Sequence, residues 1–80
     1  MNSQTAIIAT PNFYNQEHLE FYTATRPSYT LAMAAAKEML RDFRRSNQPV
    51  IGTRIIATSR YHKLSREDRL QTIFRSALYA

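Results

Sequence analysis

The sequence contains no cysteine and no tryptophan, one glycine, and six acidic residues against eleven basic ones. Without cysteine, a disulfide framework and a thiolate metal site are both excluded. The single glycine, Gly52, excludes a Walker phosphate loop, a dinucleotide fingerprint and a nucleophile elbow, because each of these turns needs at least two glycines. We therefore expect no catalytic residues, no cofactor and no enzymatic activity.

The chain also lacks a long apolar run. No stretch approaches the roughly 20 residues that a membrane-spanning helix needs, and residues 1–4 lack the basic start and apolar core of a secretory signal. At 80 residues and 44% hydrophobic composition, the sequence is typical of one small folded domain covering residues 1–80. We expect a single cytoplasmic domain without membrane contact.

One short motif, Thr-x-Ile-Ile-Ala-Thr, occurs at Thr5–Thr10 and again at Thr53–Thr58. Its β-branched residues predict two strands. The second copy lies within a longer predicted strand, Val50–Tyr61. Alternation of apolar and polar residues over His18–Thr25 predicts a further strand between the two copies, paired with the first as an antiparallel hairpin.

Two segments have the periodicity of amphipathic helices. The first is Tyr29–Arg45, which follows the strand-breaking Pro27. The second follows Ser65, a residue suited to cap a helix. Its apolar stripe consists of Leu70, Ile73, Phe74, Ala77 and Leu78. The order β-β-α-β-α predicts an α+β fold, a two-layer sandwich in which a three-stranded, mainly antiparallel sheet carries both helices on one face.

The positive charge is concentrated in the second half of the chain. Residues 1–40 carry two cations and three anions, whereas residues 41–80 carry nine cations and three anions. Arginine outnumbers lysine nine to two, which favours bidentate contacts to carboxylate or phosphate. On the first predicted helix, cations recur at helical spacing and form a candidate partner-binding stripe: Lys37, Arg41, Arg44 and Arg45. This stripe predicts an acidic protein surface or a nucleoprotein complex as partner, and a solvated basic face is the alternative.

If both helices cover one face of the sheet, the other face is exposed. Alternation along the strands places Tyr22, Arg54 and Arg60 there, together with Glu20. An aromatic ring among arginines is typical of sheets that stack bases and bind phosphates, so these three residues are candidate nucleic-acid contacts. Cross-strand pairing of Glu20 with Arg54 or Arg60 is the alternative interpretation. An exposed edge strand also allows homodimerisation through the sheet.

Two histidines, His18 and His62, stand at the ends of predicted strands without an accompanying pattern of acidic residues. They predict structural or surface histidines and no metal site. The segment Arg54–Leu78 resembles the strand-then-helix region of the BolA family in Ser59-Arg60-Tyr61 and in Arg69. However, Leu70 stands where that family has a histidine and the loop glycine is missing, so the family is not assigned.

In size and layout the chain resembles small accessory proteins of phages and mobile elements, including anti-CRISPR proteins, which act by blocking a larger complex. The resemblance implies a non-enzymatic protein that docks an arginine-rich surface on a larger macromolecular complex and inhibits or modulates it. Two alternatives stay open. One is direct nucleic-acid binding through the basic helix and the exposed sheet face, and the other is a homodimeric structural module.

Overall fold

The structure, a computed structural model, describes residues 2–12 and 19–79, with side chains described as far as Ile73. The elements are β1 (Gln4–Pro11), β2 (Leu19–Arg26), α1 (Tyr29–Arg45), β3 (Gly52–Ala57), α2 (Thr58–Lys63) and α3 (Arg66–Tyr79). Within these ranges, no helix combines the length and the apolar character needed to cross a membrane.

The three strands form one antiparallel sheet in the order β2-β1-β3, with β1 in the centre. The two copies of the repeated motif pair with each other across β1 and β3, so that Thr5 lies opposite Ile56 and Ile8 lies opposite Thr53. The predicted α+β class and the three-stranded antiparallel sheet are therefore confirmed.

The central strand is buried on both of its faces. Every residue of β1 from Thr5 to Thr10 is buried. The helix α1 covers one face. On this face Tyr22 of β2 lies opposite Ile8 of β1, and the rings of Tyr22 and Phe43 pack edge-on at a centroid distance of 5.1 Å. The buried residues of α1 are the small side chains Ala32, Ala35 and Ala36, which allow the helix to approach the sheet closely.

The opposite face is covered by α3. Ile73 is 1% exposed and forms a core cluster with Ile7, Ala9 and Ile56. The expectation that both helices lie on one face is therefore wrong, and the helices lie on opposite faces of the sheet. The physical reason is visible in Ala6–Ala9, a run of small and apolar residues without alternation, which is typical of a strand covered on both sides.

The third strand is shorter than the sequence predicts. It ends at Ala57 rather than Tyr61, and Thr58–Lys63 forms the short helix α2, whose start has no side-chain cap. This turn of helix brings Tyr61 and Leu64 against the core cluster on the α3 face. Burial of these two side chains therefore outweighs the continued alternation that predicts a longer strand.

The two long helices begin where the sequence predicts. The Leu31 N–H donates to Ser28 Oγ at the start of α1 (3.2 Å), and the Asp68 N–H donates to Ser65 Oγ at the start of α3 (3.2 Å). In the predicted apolar stripe of α3, burial is confirmed for Ile73. The side chains of the last three stripe positions, Phe74, Ala77 and Leu78, lie outside the described part of the structure.

Candidate functional site

The predicted basic stripe lies on the solvent side of α1, where Lys37, Arg41, Arg44 and Arg45 are all exposed. The structure divides these four cations. Lys37, Arg41 and Arg44 surround Leu40 and line a shallow depression of about 280 Å³. Arg45 points elsewhere, since its Nη1 lies 4.0 Å from Asp42 Oδ1. Three of the four predicted residues therefore share one surface.

This depression continues into a larger groove between α1 and β3, with a volume of about 420 Å³, and the two share Lys37 and Leu40. Aliphatic side chains form the floor, namely Met33, Leu40 and Ile55. Tyr29, which is 54% exposed, lies at one end. We call the combined surface the basic groove and define its rim by three cations of α1: Lys37, Arg41 and Arg44.

The acidic residues of α1 lie on its other side. Glu38 and Asp42 line a separate depression beside β2, together with Arg26. Glu38 follows Lys37, and Asp42 follows Arg41. One position along the helix corresponds to a rotation of about 100° around its axis. Among the described residues that line the basic groove, none is acidic. The helix therefore separates its charges, with cations towards β3 and anions towards β2.

The three candidate nucleic-acid contacts do not share a surface. Tyr22 lies on the α1 face of the sheet, Arg54 lies opposite Ile7 on the α3 face, and Arg60 belongs to α2. The placement of these residues on one exposed sheet face is therefore wrong, because helices cover both faces. The predicted pairing of Glu20 with Arg54 is also wrong. Glu20 lies on the same face as Tyr22, opposite to that of Arg54, and β1 separates its strand from β3.

Glu20 instead bonds to one residue of its own strand and to one that follows β1. The Tyr22 hydroxyl donates to Glu20 Oε2 (2.8 Å), and Asn12 Nδ2 donates to Glu20 Oε1 (2.8 Å). The hydrogen bond from Tyr22 to Glu20 and the negative charge of Glu20 raise the pKa of Tyr22 above its ordinary value, because both favour the neutral phenol. The hydroxyl and the ring of Tyr22 thus both contact neighbours within the chain.

Two arginines of α3 hold the helix in place, a role that the sequence does not reveal. The Arg69 guanidinium lies 4.6 Å from the ring centroid of Tyr61. Arg66 lies 5.9 Å from the ring centroid of Phe21, and its Nη2 donates to the Leu19 carbonyl (2.8 Å). These cation–π contacts tie α3 to α2 and β2. Part of the arginine-rich second half is therefore structural. Local spacing does not reveal these pairs, because each joins residues of two different elements.

In the part of the chain that the structure describes, no group of three or more histidine, aspartate or glutamate side chains is placed to hold a metal ion. His62 is exposed on α2, and His18 lies outside the described residues. The chain matches no known protein family, no curated protein and no solved structure. Any functional assignment therefore depends on the geometry of the basic groove.

Proposed function

We propose that the protein is a non-enzymatic binding protein that docks its basic groove on an acidic protein surface of a larger complex, and thereby inhibits or modulates that complex. One observation carries the proposal. Three cations of α1 border a single continuous groove, and the acidic side chains of the same helix lie on its other side. Such a one-sign surface attracts an acidic partner and repels a basic one.

The groove floor favours a protein partner over nucleic acid. Nucleic-acid sites combine cations and hydrogen-bond donors for the phosphates with aromatic rings on which the bases stack. Met33, Leu40 and Ile55 offer neither, but they suit the apolar side chains at the centre of a protein interface. One aromatic ring, that of Tyr29, lies at the end of the groove, so single-stranded nucleic acid is the alternative that the experiment must include.

The test compares three tagged proteins in a capture experiment from the source cell. They are the parent chain, the groove variant Arg41→Glu/Arg44→Glu, and a control variant, Arg26→Glu/Arg60→Glu. Both variants change the net charge equally, and all four residues are exposed. We expect the same protein to be recovered with the parent and the control, before and after nuclease treatment, and to be lost with the groove variant.

Two results would contradict the proposal. The first is equal recovery with the groove variant, which would exclude the basic groove as the docking surface. The second is recovery that nuclease abolishes, combined with tight binding of labelled DNA or RNA that weakens steeply with salt, which would assign the groove to nucleic acid. We place the interaction in the cytoplasm, a location that the cysteine-free sequence supports.

A further inference from the structure

The outer edge of β3 runs beside the basic groove. Among the described residues, β3 pairs with β1 alone. The carbonyls of Ser3, Ile7 and Ala9 on the β1 chain all accept hydrogen bonds from β3 or its flanking residues. The Thr58 N–H donates to the Ser3 carbonyl, and Arg54, four residues earlier and opposite Ile7, directs its backbone groups towards β1 in the same way. Because this direction alternates along an antiparallel strand, the N–H and C=O of Ile55 point outwards to the open edge.

The α1 face of β3 is only partly covered. Ile55 is half-buried, and it forms the groove floor with Met33 and Leu40. A strand added beside β3 would lie about 4.8 Å from it and would direct alternate side chains to the two faces of the sheet. Side chains on one face would enter the groove under Lys37, and those on the other would lie beside Arg54. An added strand would therefore meet cations on both of its faces.

On the basis of the proposed function, we propose that the acidic partner supplies an extended segment that adds to the sheet as a fourth strand along β3. Addition of a strand satisfies the outward backbone groups of Ile55, and alternate side chains give specificity. β3 has 6 residues and so spans about 20 Å, which matches a segment of about six residues. The segment carries carboxylates, to pair with the rim cations, and apolar side chains, to cover the groove floor.

Charge argues against a second copy of this chain as the occupant. Pairing of β3 with β3 would bring the rim cations of two copies together along one edge. Like charges across neighbouring strands are destabilising. An acidic segment places opposite charges at the same positions. The groove therefore fits a heterologous acidic strand better than a homodimer.

The test uses a fluorescent peptide of six residues, Glu-Glu-Val-Val-Glu-Glu, which matches the length of β3 and places glutamate and valine on both of its faces. Two further versions are N-methylated at alternate residues, in one register or the other, and a fourth carries lysine in place of glutamate. Only one N-methylated version blocks the N–H groups that face β3. We expect that version to bind at least about tenfold more weakly, because it loses several backbone hydrogen bonds. The other N-methylated version should bind like the parent peptide.

The same peptides are titrated against the variants Arg41→Glu/Arg44→Glu and Arg26→Glu/Arg60→Glu. We expect weaker binding to the first variant, unchanged binding to the second, and no binding of the lysine peptide. Equal behaviour of the two N-methylated versions would overturn strand addition, as would a failure of the parent peptide to bind. Neither result bears on the capture experiment, whose dependence on Arg41 and Arg44 decides the proposed function separately.

A measurement of mass in solution completes the test. We expect the protein alone to be monomeric over the concentrations used for the peptide titration. A concentration-dependent dimer that the acidic peptide does not dissociate would assign the β3 edge to a second copy and overturn the proposal.

Discussion

The Cγ2 methyl of Ile73 occupies the space that a Cβ atom at Gly52 would need. Gly52 begins β3, where it lies opposite Ala9, and Ile73 belongs to α3. No glycine of the described chain has a positive φ, so backbone freedom does not require glycine at this position. The only glycine of the sequence is needed because α3 approaches the first residue of β3 closely.

We expect Gly52→Ala to lower the free energy of unfolding by about 1–3 kcal/mol, because the added methyl forces the packed helix to move. Urea unfolding measures this loss. Ile73→Ala alone should cost about 2–5 kcal/mol through the cavity that it leaves. The double variant should cost clearly less than the sum of the two, since removing the Ile73 methyl makes room for the new one. Strict additivity would show that this contact is not the cause.

The sequence predicted those parts of the fold that local patterns determine. Ser28 and the apolar face of Tyr29–Arg45 define α1, and the repeated motif marks β1 and β3. The sequence does not predict the placement of the helices correctly, because the alternation of apolar and polar residues in the outer strands suggests that one face of the sheet is exposed. Ala6–Ala9 has no alternation, and that run alone indicates a strand covered on both faces. The helix α2 has no capping signal and depends on the tertiary burial of Tyr61.

The sequence predicts only the part of the candidate site that lies on one helix. Helical spacing brings Lys37, Arg41 and Arg44 together, because positions three and four apart share a face. The apolar floor depends on Ile55 approaching α1 across the sheet, a long-range contact that no local pattern contains. Arg54 lines the groove from β3 while its side chain lies on the α3 face, a placement that spacing along one helix does not reveal.

The buried hydroxyl of Thr5 on β1 connects β2 and the first residue of α2. Its Oγ1 lies 2.9 Å from Thr25 Oγ1 and 2.8 Å from Thr58 Oγ1, and the residue is 0% exposed. We expect Thr5→Val to lower the free energy of unfolding by about 1–3 kcal/mol, because both neighbouring hydroxyls lose a partner within the protein. Thr25→Val should cost less, because the buried Thr5 hydroxyl keeps its hydrogen bond to Thr58 and the substituted side chain is exposed. Equal losses in urea unfolding would contradict this reading.

The arginines of the chain should fall into two functional groups. Arg41→Glu/Arg44→Glu should change the free energy of unfolding by less than about 1 kcal/mol, since exposed charges contribute little to stability. Arg69→Ala should lower it by about 0.5–2 kcal/mol through the lost contact with Tyr61. Arg60→Ala, on the exposed side of α2, is the matched control and should have little effect. Thermal unfolding of the parent and these three variants distinguishes structural arginines from those available for binding.

The hydrogen bond between Tyr22 and Glu20 predicts how one phenol titrates. Because it favours the neutral phenol, the pKa of Tyr22 should lie above its ordinary value of about 10. Glu20→Gln removes the charge and should lower the pKa of Tyr22 towards that ordinary value. Glu67→Gln, which removes an exposed carboxylate on α3 at the opposite face of the sheet, should leave it unchanged. NMR of the Tyr22 ring against pH measures all three proteins.

The same pKa shift determines the sign of the effect on stability. A pKa raised in the folded state stabilises the fold while the phenol is neutral, so this contribution is present below about pH 10 and is lost as the pH rises through the folded-state pKa. Tyr22 is 41% exposed, so solvent screens the interaction and the ring titration is the more sensitive measurement. A Tyr22 titration identical in the parent and in Glu20→Gln would show that the hydrogen bond does not persist in solution. The side chain of Tyr22 would then stabilise the packing of α1 on β2 only through the contact of its ring with Phe43.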